Sequence, residues 1–188
     1  MSHPSTHLDL RRLRETPIRV FHLSWLAFFT CFFAWFAVAP LMPVIRAEFD
    51  LSVDQIANLN IAAVAVTILV RLVIGPLCDR FGPRRTYAVL MGLGALPVLG
   101  VATAQSYEAF LVFRLLIGAI GASFVITQVH TSVMFAPNVV GTANAAAAGW
   151  GNAGGGAAQA LMPLLLAAVM MLGVEQGLGW RVALLVPG

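Results

Sequence analysis

Apolar residues along this chain come in long, nearly unbroken runs separated by short polar clusters, with neither the alternation of a half-buried strand nor the narrow stripe of a soluble helix. A run of roughly 20 residues at helical rise crosses a hydrocarbon layer of ~30 Å. Lipid offers no partner for free backbone groups, so each run must be helical. The pattern predicts spans over about 21–45, 55–77, 86–103, 110–129 and 140–172, and a sixth that starts near Trp180 and is cut off at Gly188. The domain reading is a polar tail over 1–19 and a transmembrane bundle over 20–188, truncated in helix six. Because the run reaches Gly188 with no polar tail or stop-transfer cluster after it, the chain is expected to be a fragment.

Composition agrees with this all-α membrane reading. Sixty per cent of the residues are apolar and ten per cent charged, where a soluble domain carries about a quarter charged residues. The eleven basic residues are all arginine. Four of them (Arg11, Arg12, Arg14, Arg19) precede the first span and three (Arg80, Arg84, Arg85) lie between the second and third. The formal net charge of +3 therefore reads as membrane topology, with tail and second loop cytoplasmic, and not as a nucleic-acid surface. The loops after the first and third spans carry Glu48, Asp50, Asp54 and Glu108, as outward loops should. The tail is followed by an apolar stretch too long for a signal-peptide core and is read as retained. Cys31 and Cys78 form no CxxC or histidine cluster, so no metal, disulfide framework or cofactor is expected. No HExxH pair, Ser/His arrangement or intramembrane aspartate pair points to an enzyme.

Several polar residues stand inside the spans. Arg71 falls about 10 Å inside the second, where a guanidinium is costly unless paired, and no span interior holds a carboxylate. Two readings stay open: an arginine completed by an incoming anion, or one that snorkels to the interface. Thr67 and Asn60 share its helical face at spacings of four and eleven and are candidate hydrogen-bond partners of the same ligand. Arg114, followed by Gly118, sits about one turn inside the fourth span, in reach of the outer surface or of backbone carbonyls. In the fifth span Gly149-Trp150-Gly151-Asn152-Ala153-Gly154-Gly155-Gly156 follows four alanines. A Walker loop would need a Lys-Ser/Thr that is absent. Glycines at this density allow near contact between helix backbones, with Gly151 and Gly155 as a GxxxG, and Asn152 needs a backbone or substrate partner.

The stretch Gly75-Pro76-Leu77-Cys78-Asp79-Arg80-Phe81-Gly82-Pro83-Arg84-Arg85 resembles the loop between the second and third helices of the major facilitator superfamily, G-x-L-x-D-R-x-G-R-R. On charge alone it is an ordinary positive-inside loop; the ordered Gly, Asp, Gly spacing favours the resemblance. That implies close helix approach at Gly75, pairing of Asp79 with basic residues or a helix amino terminus, a turn at Gly82, and an inward gate held by Arg80, Arg84 and Arg85. Arg114 and Gly118 resemble the R-x-x-x-G of the fourth helix, a structural or coupling element. The segment 134–144 running into Gly149–Gly156 resembles the signature of the nitrate/nitrite porter family, as do Arg71 with its flanks and the Phe21-His22-Leu23-Ser24-Trp25 start of the first helix.

The resemblance implies an amino-terminal bundle of a twelve-helix carrier built from two six-helix halves. It further implies that nitrate or nitrite is held between Arg71 and a second arginine from a carboxy-terminal bundle that this chain lacks. Asn152, Thr67 and Asn60 are the other candidate substrate ligands. Transport is expected by alternating access, as nitrate/nitrite exchange or proton-coupled nitrate uptake, in the plasma (inner) membrane with the amino terminus cytoplasmic. A major facilitator transporter of another small solute is the alternative.

Overall fold

The computed structural model describes residues 4–188. Helix α1 (Thr16–Phe36) starts after an extended Glu15 with Pro17 in its first turn, a position where proline's missing N–H leaves no bond unmade. A 3-10 turn at Ala39–Leu41 carrying Pro40 leads into α2 (Met42–Phe49), which has Pro43 in its own first turn. These prolines withdraw donors from the helical ladder, so the first span is one 34-residue run, Thr16–Phe49, with an internal break. Helix α3 (Val53–Phe81) opens on a capping box between Ser52 and Gln55. Gly82 then adopts φ +83, in the left-handed region, and Pro83 opens α4 (Pro83–Gly100). That pairing makes the reversal at the basic loop sharp. Ser106 caps α5 (Tyr107–Gly118); a 3-10 turn, Ala119–Ala122, separates it from α6 (Ser123–Met134). Helix α7 (Val140–Met171) and the short α8 (Gln176–Ala183) complete the chain.

Among the described residues five helical runs are long and apolar enough to cross a membrane, as the sequence predicts. The core runs from Ile45 and Leu59 through Val98, Phe110, Ile117 and Ile126 to Met162 and Trp180. Ile68, Leu69, Leu72, Leu93 and Leu96 are exposed, as they should be where the solvent is acyl chain. Small residues set the closest crossings. A Cβ at Gly151 would lie 1.8 Å from Phe28 Cδ1 and one at Gly154 would lie 2.1 Å from the Phe29 carbonyl oxygen, so α7 is pressed directly on α1. A Cβ at Gly118 would come within 2.6 Å of the Ala63 oxygen, fixing α3 on α5.

The two ends of the bundle are tied differently. The tail is docked: the Ser5 N–H donates to Met134 O (2.9 Å), the Ala136 N–H to Ser5 O (2.8 Å) and Asn138 Nδ2 to Thr6 O (2.9 Å). Leu8 and Leu10 cover a small apolar cluster of Ile18, Phe21, Phe135, Ala143 and Ala147. The Arg11 N–H, then the Arg12 guanidinium, hold the Asp9 carboxyl below its ordinary range. At the other end Glu48 accepts from Trp180 Nε1 (2.5 Å) and Arg181 Nη1 (2.6 Å), while Arg181 Nη2 donates to Ala104 O (2.7 Å). This clamp holds α8 against α2. Removing either partner strands a half-buried charge, which costs about 1–3 kcal/mol. Glu48→Ala and Arg181→Ala are each expected to lower the Tm of the detergent-solubilised protein by a few degrees. The double variant should lose less than the sum of the two, a coupling that thermal unfolding measures directly.

Candidate anion site

Arg71 stands on the exposed side of α3. The helix continues ten residues past it, to Phe81, which places it roughly 15 Å from that end. The sequence reading, with the span ending near Leu77, put it about 10 Å deep. The last turn of that helix carries Asp79 and Arg80 of the basic loop, so the depth from the apolar boundary stays about 10 Å and both readings of Arg71, anion ligand and snorkelling side chain, remain open. Its protein contacts are weak: Nη2 donates to Gly121 O at 3.5 Å, and the guanidinium lies 5.7 Å from the centre of the Phe124 ring, within cation–π range. No carboxylate pairs with it among the described residues. Most of its five donors are open.

The wall behind it is rigid. Thr67 is buried, and its hydroxyl donates to Gly118 O (2.5 Å), with Ala63 O at 3.4 Å. Trp35 Nε1 donates to Ala63 O (3.0 Å). A Cβ at Gly121 would meet Thr67 Oγ1 at 2.8 Å and Trp35 at 2.9 Å. Thr67 therefore spends its proton on tying α3 to α5, which leaves it no donor for the anion that the helical wheel suggested it would share with Arg71. Asn60 is exposed eleven residues from Arg71, roughly 16 Å along the axis, and the structure does not bring the two to one small anion.

From Arg71 the aromatic wall leads to α7: Phe124 lies against Phe28 (5.7 Å between centroids), and Phe28 covers Gly151. Asn152, next along, is exposed; Nδ2 donates to Ala148 O (2.9 Å), which leaves its second amide proton and its carbonyl open. The glycine-rich string divides by face. Gly151, Gly154 and Gly155 pack on α1, whereas Gly149 and Gly156 meet nothing within 4 Å. The expectation that all five pack is thus corrected for the two that share the open side with Asn152.

Arg114 is buried, 4% exposed, seven residues into α5. Of the two partners the sequence left open, the outer surface and backbone carbonyls, it takes the second and does not reach the surface. Nη1 donates to Trp35 O (3.3 Å), and Nε has no partner. Both arginines of the wall therefore lean on α1 and its neighbours through backbone oxygens. In the basic loop, Gly75 has nothing within 4 Å, so no helix of this bundle makes the close approach expected there. Asp79 makes no ion pair among the described residues, Arg80 lies over Phe81 (5.3 Å), and Arg84 and Arg85 are exposed. Sequence reasoning missed Trp35 and Phe124, and it did not place Gly121 against Thr67. Aromatics and glycines at these positions look like any other span residue until the helices are packed.

Comparison with known proteins adds an independent line. The Major Facilitator Superfamily matches residues 24–188. High affinity nitrate transporter 2.5 of Arabidopsis thaliana is 43% identical over 184 residues, 98% of this chain and 37% of that protein. Nitrate transporter 2.1 of Chlamydomonas reinhardtii is 40% identical over 177 residues, 94% of this chain and 32% of its own length. A nitrate/nitrite transporter of Nostoc punctiforme, NrtP, is 37% identical over 170 residues, 90% and 34%. The chain spans about a third of the length of the curated relatives it matches.

Proposed function

Because this chain belongs to the Major Facilitator Superfamily, in its nitrate/nitrite porter family, we propose that it forms the amino-terminal bundle of a carrier moving nitrate and nitrite across the plasma (inner) membrane by alternating access. The single observation that carries this reading is Arg71: a guanidinium within the second span, backed by the packed wall of Thr67, Gly121 and Trp35, with no carboxylate partner among the described residues and most donors open. Nitrate is planar and singly charged. A guanidinium offers it two parallel N–H donors in one plane, and an ammonium does not. Asn152 adds one amide proton on the open side of α7, and Thr67 keeps Arg71 aimed by pinning α3 to the end of α5 at Gly118 O. The remaining ligands belong to a carboxy-terminal bundle, against which this one rocks to open the site to each side in turn. The arginine-rich tail and second loop assign the amino terminus to the cytoplasm, with Arg80, Arg84 and Arg85 as that side's gate and Asp79 facing partners outside this bundle.

Nitrate/nitrite exchange is the coupling favoured by span interiors without carboxylates. Proton-coupled nitrate uptake is the second reading, favoured by His130, whose Nδ1 lies 2.9 Å from Ser24 Oγ between α6 and α1. In proteoliposomes holding the full-length protein, exchange predicts that nitrate uptake rises several-fold with internal nitrite and survives collapse of the proton gradient. Uptake that ignores internal nitrite and stops with the gradient rejects exchange and selects the proton reading.

A further inference from the structure

Between the anion site and the tail end of the bundle, α6 and α7 are joined by neutral polar side chains that the site itself does not use. Gln128 Nε2 donates to the Asn144 backbone oxygen (3.4 Å), and Asn144 Nδ2 donates to Ser132 Oγ (3.0 Å). These bonds fix the height of one helix against the other. On α6, Phe124, Gln128 and Ser132 follow at intervals of four and share a face. Phe124 is the ring against the Arg71 guanidinium, so Gln128 and Ser132 lie roughly 6 and 12 Å from it along the axis, toward the tail end. On α7, Asn152 stands eight residues past Asn144, roughly 12 Å back toward the level of Phe124. Arg71 and Asn152 therefore share one depth, and Gln128, Asn144 and Ser132 lie one to two turns nearer the tail.

This group is incompletely bonded. Asn144 Oδ1 is buried without a donor. Gln128 keeps an amide proton, and the exposed Ser132 accepts from Asn144 but has no acceptor for its own proton among the described residues. A buried carbonyl left in this way calls for a water or a ligand group. Open N–H and O–H donors beside such a carbonyl match an anion that keeps part of its water shell: the donors meet the anion, and one of its waters donates to Oδ1. None of the three side chains is charged, so they hold an anion less tightly than a guanidinium does. A station on a path of passage must bind weakly enough to let go.

We propose that Gln128, Asn144 and Ser132 form a second, low-affinity station for nitrate or nitrite on the cytoplasmic side of Arg71, where the anion exchanges part of its water shell between the main site and the cytoplasm. The station rests on the carrier reading above and adds sidedness to it, because it lies only on the cytoplasmic half of the path.

Sealed membrane vesicles of each orientation, carrying the full-length protein, give KM for nitrate entering from either face. Gln128→Met keeps the length of the side chain and removes its amide; Ser132→Ala removes the hydroxyl. Each is expected to raise KM from the cytoplasmic face about five-fold, the worth of one neutral hydrogen bond, with KM from the outer face within about two-fold of wild type and Tm unchanged. Ser132→Thr, which restores the hydroxyl, should match wild type. Unchanged KM from the cytoplasmic face in both Gln128→Met and Ser132→Ala overturns the proposal. So does an equal rise from both faces, or a rise that tracks a fall in Tm, either of which makes the group a brace of α7 acting through Asn152. Wild-type vesicles that move neither nitrate nor nitrite reject the carrier reading and the station with it, whereas wild-type flux with any of those overturning results rejects the station alone.

Discussion

Nitrate uptake by the full-length protein is expected to fall about a hundred-fold when Arg71 is replaced by lysine, with yield and Tm unchanged. The substitution keeps the positive charge and removes the planar fork. A charge-assisted, bidentate hydrogen-bond pair lost to a single point charge costs about 2–3 kcal/mol, or roughly thirty- to a hundred-and-fifty-fold. Stability should be indifferent because Arg71 contributes little to the bundle: one long 3.5 Å bond to Gly121 O and a ring contact with Phe124. Initial uptake rates into proteoliposomes, measured alongside thermal unfolding, separate the two effects. Undiminished uptake by Arg71→Lys would remove Arg71 from the site. A loss of uptake that tracks a fall in Tm would make it a packing residue instead.

The legible part of this molecule is the part dictated by the membrane. Hydrocarbon thickness fixes span length and the absence of solvent fixes helicity, so the five runs follow from hydropathy, and the reversal at Gly82-Pro83 follows from two residues with strong backbone preferences. What the sequence does not disclose is rotation and depth. The break at Ala119–Ala122 carries no proline; it lies where α5 meets α3, at the contact of Gly121 with Thr67 and Trp35, and depends on residues from three helices. Thr67, Asn60 and Arg71 share a face on a helical wheel, yet the wheel discards the axial coordinate that separates Asn60 from Arg71. It also cannot foresee that Gly118 O takes the Thr67 proton. The tail reads only as polar and retained, but its partner is the loop at 134–138, distant in sequence, and only packing brings Ser5 to Phe135.

Gly154→Ala is expected to be the most damaging single methyl group in the chain, while Gly156→Ala, two residues on, should leave the bundle intact. At Gly154 the new carbon would sit 2.1 Å from the Phe29 backbone oxygen, and a helix backbone, unlike a side-chain tip, has no rotamer by which to retreat. Helices α1 and α7 must separate by about an ångström or more along the most extensive helix contact of the fold. Overpacking of this kind costs about 1–3 kcal/mol, and the displacement propagates through Phe28 and Phe124 to the wall that carries Arg71. Uptake should drop at least about ten-fold together with a fall in Tm. At Gly156 nothing lies within 4 Å, and alanine is the better helix former by roughly 0.5–1 kcal/mol, so Tm holds or rises. Uptake by Gly156→Ala then reports on the open side of α7. If it falls while stability holds, that face works against a partner bundle or the passing anion, where a glycine with no neighbour in this half finds its reason. A Gly154→Ala protein with wild-type Tm and uptake would mean that α1 and α7 are not in backbone contact at Gly154, and that Arg71 does not depend on that crossing.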